Sequence, residues 1–193
     1  ATKDFDPDVE VSFFSKISGD MRASTYTQQD GSGWTPLMIA ASLRESEGDP
    51  IIDILLHKGA DVNVKSTSGQ VSFGFDIYYL LRTDEANWLE RSPFATSKGN
   101  LSTIRTLIAN KCSARVKDKR GQLPLHRAAA IGSIPIIKIL LEDGKSPVNA
   151  TDVDGLTALH HAISEGHGDA AIQLLKAGAE ADKRDSTGSL AID

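Results

Sequence analysis

Apolar residues recur along this chain in short bursts at helical spacing. Ile136, Ile137, Leu140 and Leu141 form one burst, Ala171, Ile172, Leu174 and Leu175 a second, and Leu101, Ile104, Leu107 and Ile108 a third. Neighbours one, three and four residues apart share a helix face, so each burst predicts a helix buried on one side. Ahead of the first two bursts lies a shorter stretch in which Ala128, Ala129 and Ala162 mark the inner side of another helix, small enough for a neighbour to approach closely. Leu123-Pro-Leu-His126 and Thr157-Ala-Leu-His160 read as starts of these short helices, since Thr caps a helix and Pro is tolerated in its first turn. The short helices are expected to end at Gly132 and Gly166, and the longer ones at Gly144 and Gly178 in left-handed caps.

In front of the helix pairs stand turns of the form Asp-x-x-Gly, where the glycine takes a positive φ at the tip of a tight hairpin. The marker glycines are Gly33, Gly69, Gly121, Gly155 and Gly188, at spacings of 36, 52, 34 and 33 residues. A hairpin followed by two antiparallel helices, repeated about every 33 residues, resembles the ankyrin repeat. That resemblance implies an all-α ankyrin-repeat solenoid in which no unit buries its own apolar face and neighbours must stack. The expected division is a partial repeat and connection at 1–29, repeats at 30–65, 66–117, 118–151 and 152–184, and the start of another at 185–193. Residues 7–17 read as the second helix of an earlier unit, and the last unit stops inside its first helix, so the expectation is an array truncated at both ends.

The spacing of 36 fits three extra residues between helices around Arg44 to Glu47, whereas 52 leaves 19 residues over. After Gly69-Gln70 the expected Thr-x-Leu-His is replaced by an insert at 71–92, containing Phe73, Phe75, Tyr78, Tyr79 and Trp88. Phe94 to Asn100 then resumes the pattern, with Ala95 and Gly99 in the register of Ala128 and Gly132. Three readings compete: a loop with a short helix over 77–89 that meets a partner, a lengthened finger, and a retained intron whose donor site encodes Val71-Ser72.

Composition narrows the function. The chain has 193 residues, 24% charged and 40% hydrophobic, with a formal net charge of −5. No run approaches the roughly 20 apolar residues that span a bilayer, and an acidic chain argues against general nucleic-acid affinity. The single Cys112 takes the place of Ala60 and Ala179 in sister units and reads as a packed thiol in a reducing compartment. His126 and His160 stand at the repeat position where an imidazole ties neighbouring turns together; His57, His161 and His167 add no zinc spacing. There is no nucleophile elbow and no phosphate-binding loop, so neither catalysis nor a cofactor or metal is expected.

Charge is distributed unevenly. Between Lys111 and Arg127 six basic residues, Lys111, Arg115, Lys117, Lys119, Arg120 and Arg127, face one acid, Asp118. Lys117, Lys119, Arg120 and Gln122 fall on a hairpin finger and Arg127 on the inner helix, a surface suited to an acidic partner. Trp34 at another fingertip and Arg44 beyond its inner helix are of the residue types that carry interface energy. Packing under the next finger is the competing role for Trp34.

Three stretches carry a narrower resemblance: Asp30 to Ser42, Val116 to Ser133 and Ala162 to Ala171. They are similar to the gankyrin-type chaperones of the proteasome regulatory particle, in a fungal-type version. That resemblance implies a non-catalytic, monomeric, cytoplasmic and nuclear protein that holds the C-terminal domain of a proteasomal ATPase subunit in its concave face. Carried over by repeat position, the partner-binding residues are Trp34, Arg44, Lys117, Lys119, Arg120 and Arg127, with Asp154 and Glu165 on the following unit. An insert within this series of fingers is expected to block or distort the groove. The alternative function is an adaptor or inhibitor that binds a kinase or transcription factor.

Overall fold

The computed structural model describes residues 28–31, 33–41, 48–71 and 93–192. The three readings of the 71–92 insert, the early helix over 7–17 and the predicted site residue Arg44 fall on residues outside these, apart from Val71. Seven helices and no strand occur among the described residues: α1 Pro36–Ala41, α2 Asp49–His57, α3 Pro93–Ala109, α4 Pro124–Ile131, α5 Ile134–Glu142, α6 Ala158–Ser164 and α7 Gly168–Lys176. None is long and apolar enough to cross a membrane. The short helices α1, α4 and α6 lie antiparallel to longer outer ones, and the outer row α2, α3, α5, α7 packs in chain order, as an ankyrin solenoid requires.

One apolar core runs through the array from Leu37 to Leu174. Ile136, Ile137, Ile139 and Leu140 of α5 are buried, and the alanines Ala128, Ala129, Ala158 and Ala162 let α4 and α6 approach along one another. On α7 the expected stripe is only half used: Ala170, Ala171 and Leu174 are buried, while Ile172 and Leu175 are exposed. Helix α7 has no described outer helix on its far side.

Helix starts follow the local chemistry. Thr157 caps α6, its hydroxyl accepting the His160 amide, and the His160 ring accepts from the Thr157 amide in return. Leu123 has no side-chain acceptor, yet its amide is satisfied by Nδ1 of His126 at 3.0 Å, and Pro124 follows at the first helical position. The other ring nitrogen of His126 meets the carbonyl of Ala150 at 3.1 Å, tying the inner helix to the end of its own unit just ahead of the next finger. His160 lacks that second contact; its buried Nε2 has no hydrogen-bond partner among the described residues. Cys112 is buried, and its thiol donates to the Val62 carbonyl.

Successive units are also strapped at the loops that close the outer helices. The Asn63 side chain bridges the Lys111 carbonyl and the Ser113 amide, and Asn149 bridges the Gly178 carbonyl and the Glu180 amide. Arg115 fills the same role between them by donating to the Lys145 carbonyl.

Two local expectations are corrected. Gly99 does not divide the interrupted unit: α3 runs unbroken from Pro93 to Ala109. A glycine weakens a helix by about 1 kcal/mol without ending it. At Gly132 the ending comes from a left-handed glycine whose neighbouring amides fold back on Ala128 and Ala129. Residues 93–98 do not directly follow a finger, as the start of α4 does, and they extend the outer helix instead. The inner row therefore has no described helix between α1 and α4, where Val71 is buried.

The second correction is at Gly144, which is not among the glycines of positive φ; Lys145 is, at φ 50°. The chain from Gly121 to Gly155 is one residue longer than that from Gly155 to Gly188, and since α5 and α7 are both nine residues long the surplus lies in the exit from α5, so the left-handed position moves from Gly144 to Lys145. Gly144 instead makes room for its neighbour, since a Cβ there would stand 2.8 Å from Cβ of Ala114. Lys145 then carries the strain of a left-handed non-glycine residue. The Lys145→Gly variant is expected to be more stable by about 0.5–1 kcal/mol, measured by urea unfolding, because glycine removes the Cβ clash while adding some unfolded-state entropy.

Candidate functional site

The fingers form a continuous row. Each is a turn closed at its base by backbone bonding, Asp30 with Trp34, Ser66 with Gln70, Asp118 with Gln122, Asp152 with Leu156 and Asp185 with Ser189. Oδ1 of Asp118 accepts the amides of Arg120 and Gln122, and Asp152 and Asp185 repeat the pattern. Adjacent tips are then joined through the backbone: Lys119 N–H to Ser68 O at 3.1 Å, Val153 N–H to Arg120 O at 3.0 Å, and Ser186 N–H to Asp154 O at 2.9 Å. A Cβ on Gly121 would stand 3.0 Å from the Val153 nitrogen, and one on Gly155 2.6 Å from that of Ser186, so these positions need glycine for space as well as for their φ of 72° and 79°.

The first bond in that series bears on the insert. Finger 66–69 docks directly on finger 118–121 although 52 residues separate their glycines, so the tip row stays contiguous across the insert.

The predicted site residues divide by what holds them. Trp34 is half-buried; its amide donates to Asp30 Oδ1 and its carbonyl closes the first finger. The Lys117 ammonium donates to the Thr151 carbonyl at 2.8 Å, at the base of the next finger. Arg127 pairs with Asp118 at 3.2 Å, their side chains 18% and 8% exposed. Lys119 and Arg120 are exposed, with backbones pinned by the tip bonds and no ion pair among the described residues. Asp154 is exposed on the adjoining tip and Glu165 at the end of α6. The tip row therefore brings Lys119, Arg120 and Asp154 onto two consecutive fingers.

The Arg127–Asp118 pair has a counterpart. His161 Nε2 lies 3.0 Å from Asp152 Oδ2, and in both units the finger aspartate turns one oxygen to its own loop and the other to a basic residue nine positions later. This Asp-x8-Arg/His spacing was present in the sequence, but it becomes meaningful only when the finger is seen to fold back on the inner helix. Burial pushes the Asp152 carboxyl up, and hydrogen bonds from His161, the Leu156 amide, Gln122 and the Asp154 amide outweigh it, leaving the group below its usual range. His126, edge-on to His161 with ring centroids 5.6 Å apart, has its pKa lowered to about 4, first by burial and then by the neighbouring imidazole. Among the described residues no group of three or more His, Cys, Asp or Glu is placed to hold a metal.

Comparison with known proteins agrees with this architecture. A model of ankyrin repeats in three copies matches residues 94–185, and a single ankyrin-repeat model matches 32–67. The chain belongs to the ankyrin-repeat family, a class of protein-interaction modules. It is 39% identical over 165 residues to the probable 26S proteasome regulatory subunit p28 of Saccharomyces cerevisiae, across 85% of this chain and 64% of that protein. The human transient receptor potential cation channel subfamily A member 1 is 29% identical over 171 residues, covering 78% of this chain and 15% of the channel. Human ankyrin repeat and SOCS box protein 3 is 33% identical over 88 residues, 45% of this chain and 17% of the relative. The chain thus spans less than two thirds of each of these relatives.

Two expectations follow from the electrostatics. Arg127→Ala strands the Asp118 carboxylate in a nearly buried position and is expected to cost about 3 kcal/mol of stability in chemical denaturation; Lys119→Ala and Arg120→Ala are expected to stay within about 0.5 kcal/mol. For His126 the folded pKa lies below the unfolded value near 6.5, so the unfolded chain binds the extra proton as pH falls. Stability should drop by roughly 2 kcal/mol between pH 7 and pH 5 from this group. The His126→Gln variant, less stable at pH 7, should lose most of that slope in urea titrations at the two pH values.

Proposed function

We propose that this chain is a non-catalytic chaperone for assembly of the proteasome regulatory particle, which holds the C-terminal domain of a proteasomal ATPase subunit against its finger row. The observation that carries this reading is the 39% identity to the yeast proteasome regulatory subunit over 85% of the chain. The geometry supports the same kind of use. Lys119 and Arg120 are fixed by their backbones on one tip while their charges remain available, so a carboxylate-bearing partner is met by cations whose main chain is already ordered. Asp154 and Glu165 extend the surface with the opposite sign, Trp34 extends it towards the first finger, and Arg44 is assigned to it by repeat position alone. Lys117 and Arg127 contribute chiefly by holding the fingers in place, through Thr151 and Asp118. The protein acts as a monomer in the cytoplasm and nucleus.

Binding of the full chain to the C-terminal domain of each proteasomal ATPase subunit, measured by isothermal titration at low and moderate salt, tests this. One domain is expected to bind, and the Lys119→Glu/Arg120→Glu variant to lose at least about tenfold in affinity and most of the salt dependence. Absence of binding to every ATPase domain, with a kinase or transcription factor bound instead, would favour an adaptor role and overturn the proposal.

A further inference from the structure

Val153 is out of place for a side chain of its kind. It is 67% exposed at the tip of finger 152–155. Its amide is bonded to the Arg120 carbonyl, and a Cβ on Gly121 would stand only 3.3 Å from its Cγ1, so one side of the isopropyl group rests on the neighbouring tip and the other faces solvent. Nothing in the finger requires a hydrophobe here. Position 153 corresponds to Lys119 on the preceding finger and Ser186 on the following one, and the turn is closed entirely by Asp152, Gly155 and backbone bonds.

The tip bonds also fix an order. Lys119 adjoins finger 66–69, Arg120 adjoins Val153, and Asp154 adjoins Ser186, so the row presents two cations, then an aliphatic group, then an anion along the array. These side chains stand on a ladder of backbone hydrogen bonds, which limits the freedom lost on binding. Cations alone steer an acidic partner but discriminate poorly among acidic surfaces, whereas an apolar contact beside them adds burial that only a matching side chain supplies.

We propose that Val153 is the specificity-determining residue of the finger surface, selecting a protein segment that carries paired carboxylates directly beside an exposed aliphatic side chain. Lys119 and Arg120 take the carboxylates, and the aliphatic group is buried between Val153 and the stem of Arg120. This deepens the reading of the fingers as a binding surface and rests on it, but it specifies the chemistry of the bound segment independently of the partner's identity.

The test uses the full chain and two synthetic helical peptides that differ at one position. Both carry two glutamates on one face; the first has a leucine beside them and the second a serine. Binding is followed by the methyl resonances of Val153 and by titration. The leucine peptide is expected to bind about tenfold more tightly and to shift the Val153 methyl signals, and the isosteric Val153→Thr variant to bring the two peptides to equal affinity without changing their salt dependence. Equal binding of the two peptides by the unaltered chain, a leucine preference that survives Val153→Thr, or no binding of either peptide at millimolar concentration would each overturn the assignment. The peptides are independent of the proteasome, so failure of every ATPase domain to bind would count against the proposed function and leave this result standing.

Discussion

The array depends on how closely two fingers can approach. Tip-to-tip hydrogen bonds such as Val153 N–H to Arg120 O bring the backbone of one turn within about 3 Å of where a Cβ on the other's glycine would stand, closer than ordinary van der Waals contact. The remainder of each finger serves that approach. The aspartate side chain closes the turn from inside with Oδ1, and in two units its Oδ2 ties the turn to the helix that follows. With the fingers set, the short helices are delivered side by side, and alanine is what their contact requires.

This explains why the framework was legible from sequence and where legibility ended. A positive φ at Gly33, Gly69, Gly121, Gly155 and Gly188 is a local demand with a local signature, and a period of 33 or 34 residues carries it from unit to unit. At Gly144 the nearest glycine is not the cap, because the unit's extra residue moves the left-handed position to Lys145. Aligning Ser146 with Cys112 and Ala179, the residues after the closing turn, would have revealed it. Gly99 differs for another reason: a glycine permits a helix to end but does not compel it, and at Gly132 the ending comes from the left-handed conformation and the amides that fold back on Ala128 and Ala129.

Charge was harder to read than backbone. Counting six cations against one acid treated them as equivalent, yet they are engaged differently. Arg115 spans to Lys145, Lys117 to Thr151 and Arg127 to Asp118, all contacts within the fold. A nearly buried pair such as Arg127–Asp118 gains little over a well-packed apolar substitute but is costly to break from one side, so it specifies the finger's position more than it stabilises it. With these contacts removed from the count, Lys111, Lys119 and Arg120 remain, and of these only Lys119 and Arg120 stand together on a fingertip.

The same distinction bears on the interrupted unit. In a solenoid each unit needs its neighbours at three places: the finger, the inner helix and the outer helix. Across the insert the finger contact persists through Lys119 and Ser68, and the outer contacts persist where α3 packs between α2 and α5. The Asn63 bridge to Lys111 and Ser113 adds a strap at the loop level. Among the described residues the inner row has no helix between α1 and α4. Because neighbour contacts are roughly additive along such an array, the finger and outer-helix contacts each couple the units on either side of the insert, and the row of fingers, which does not pass through the inner helices, keeps its order.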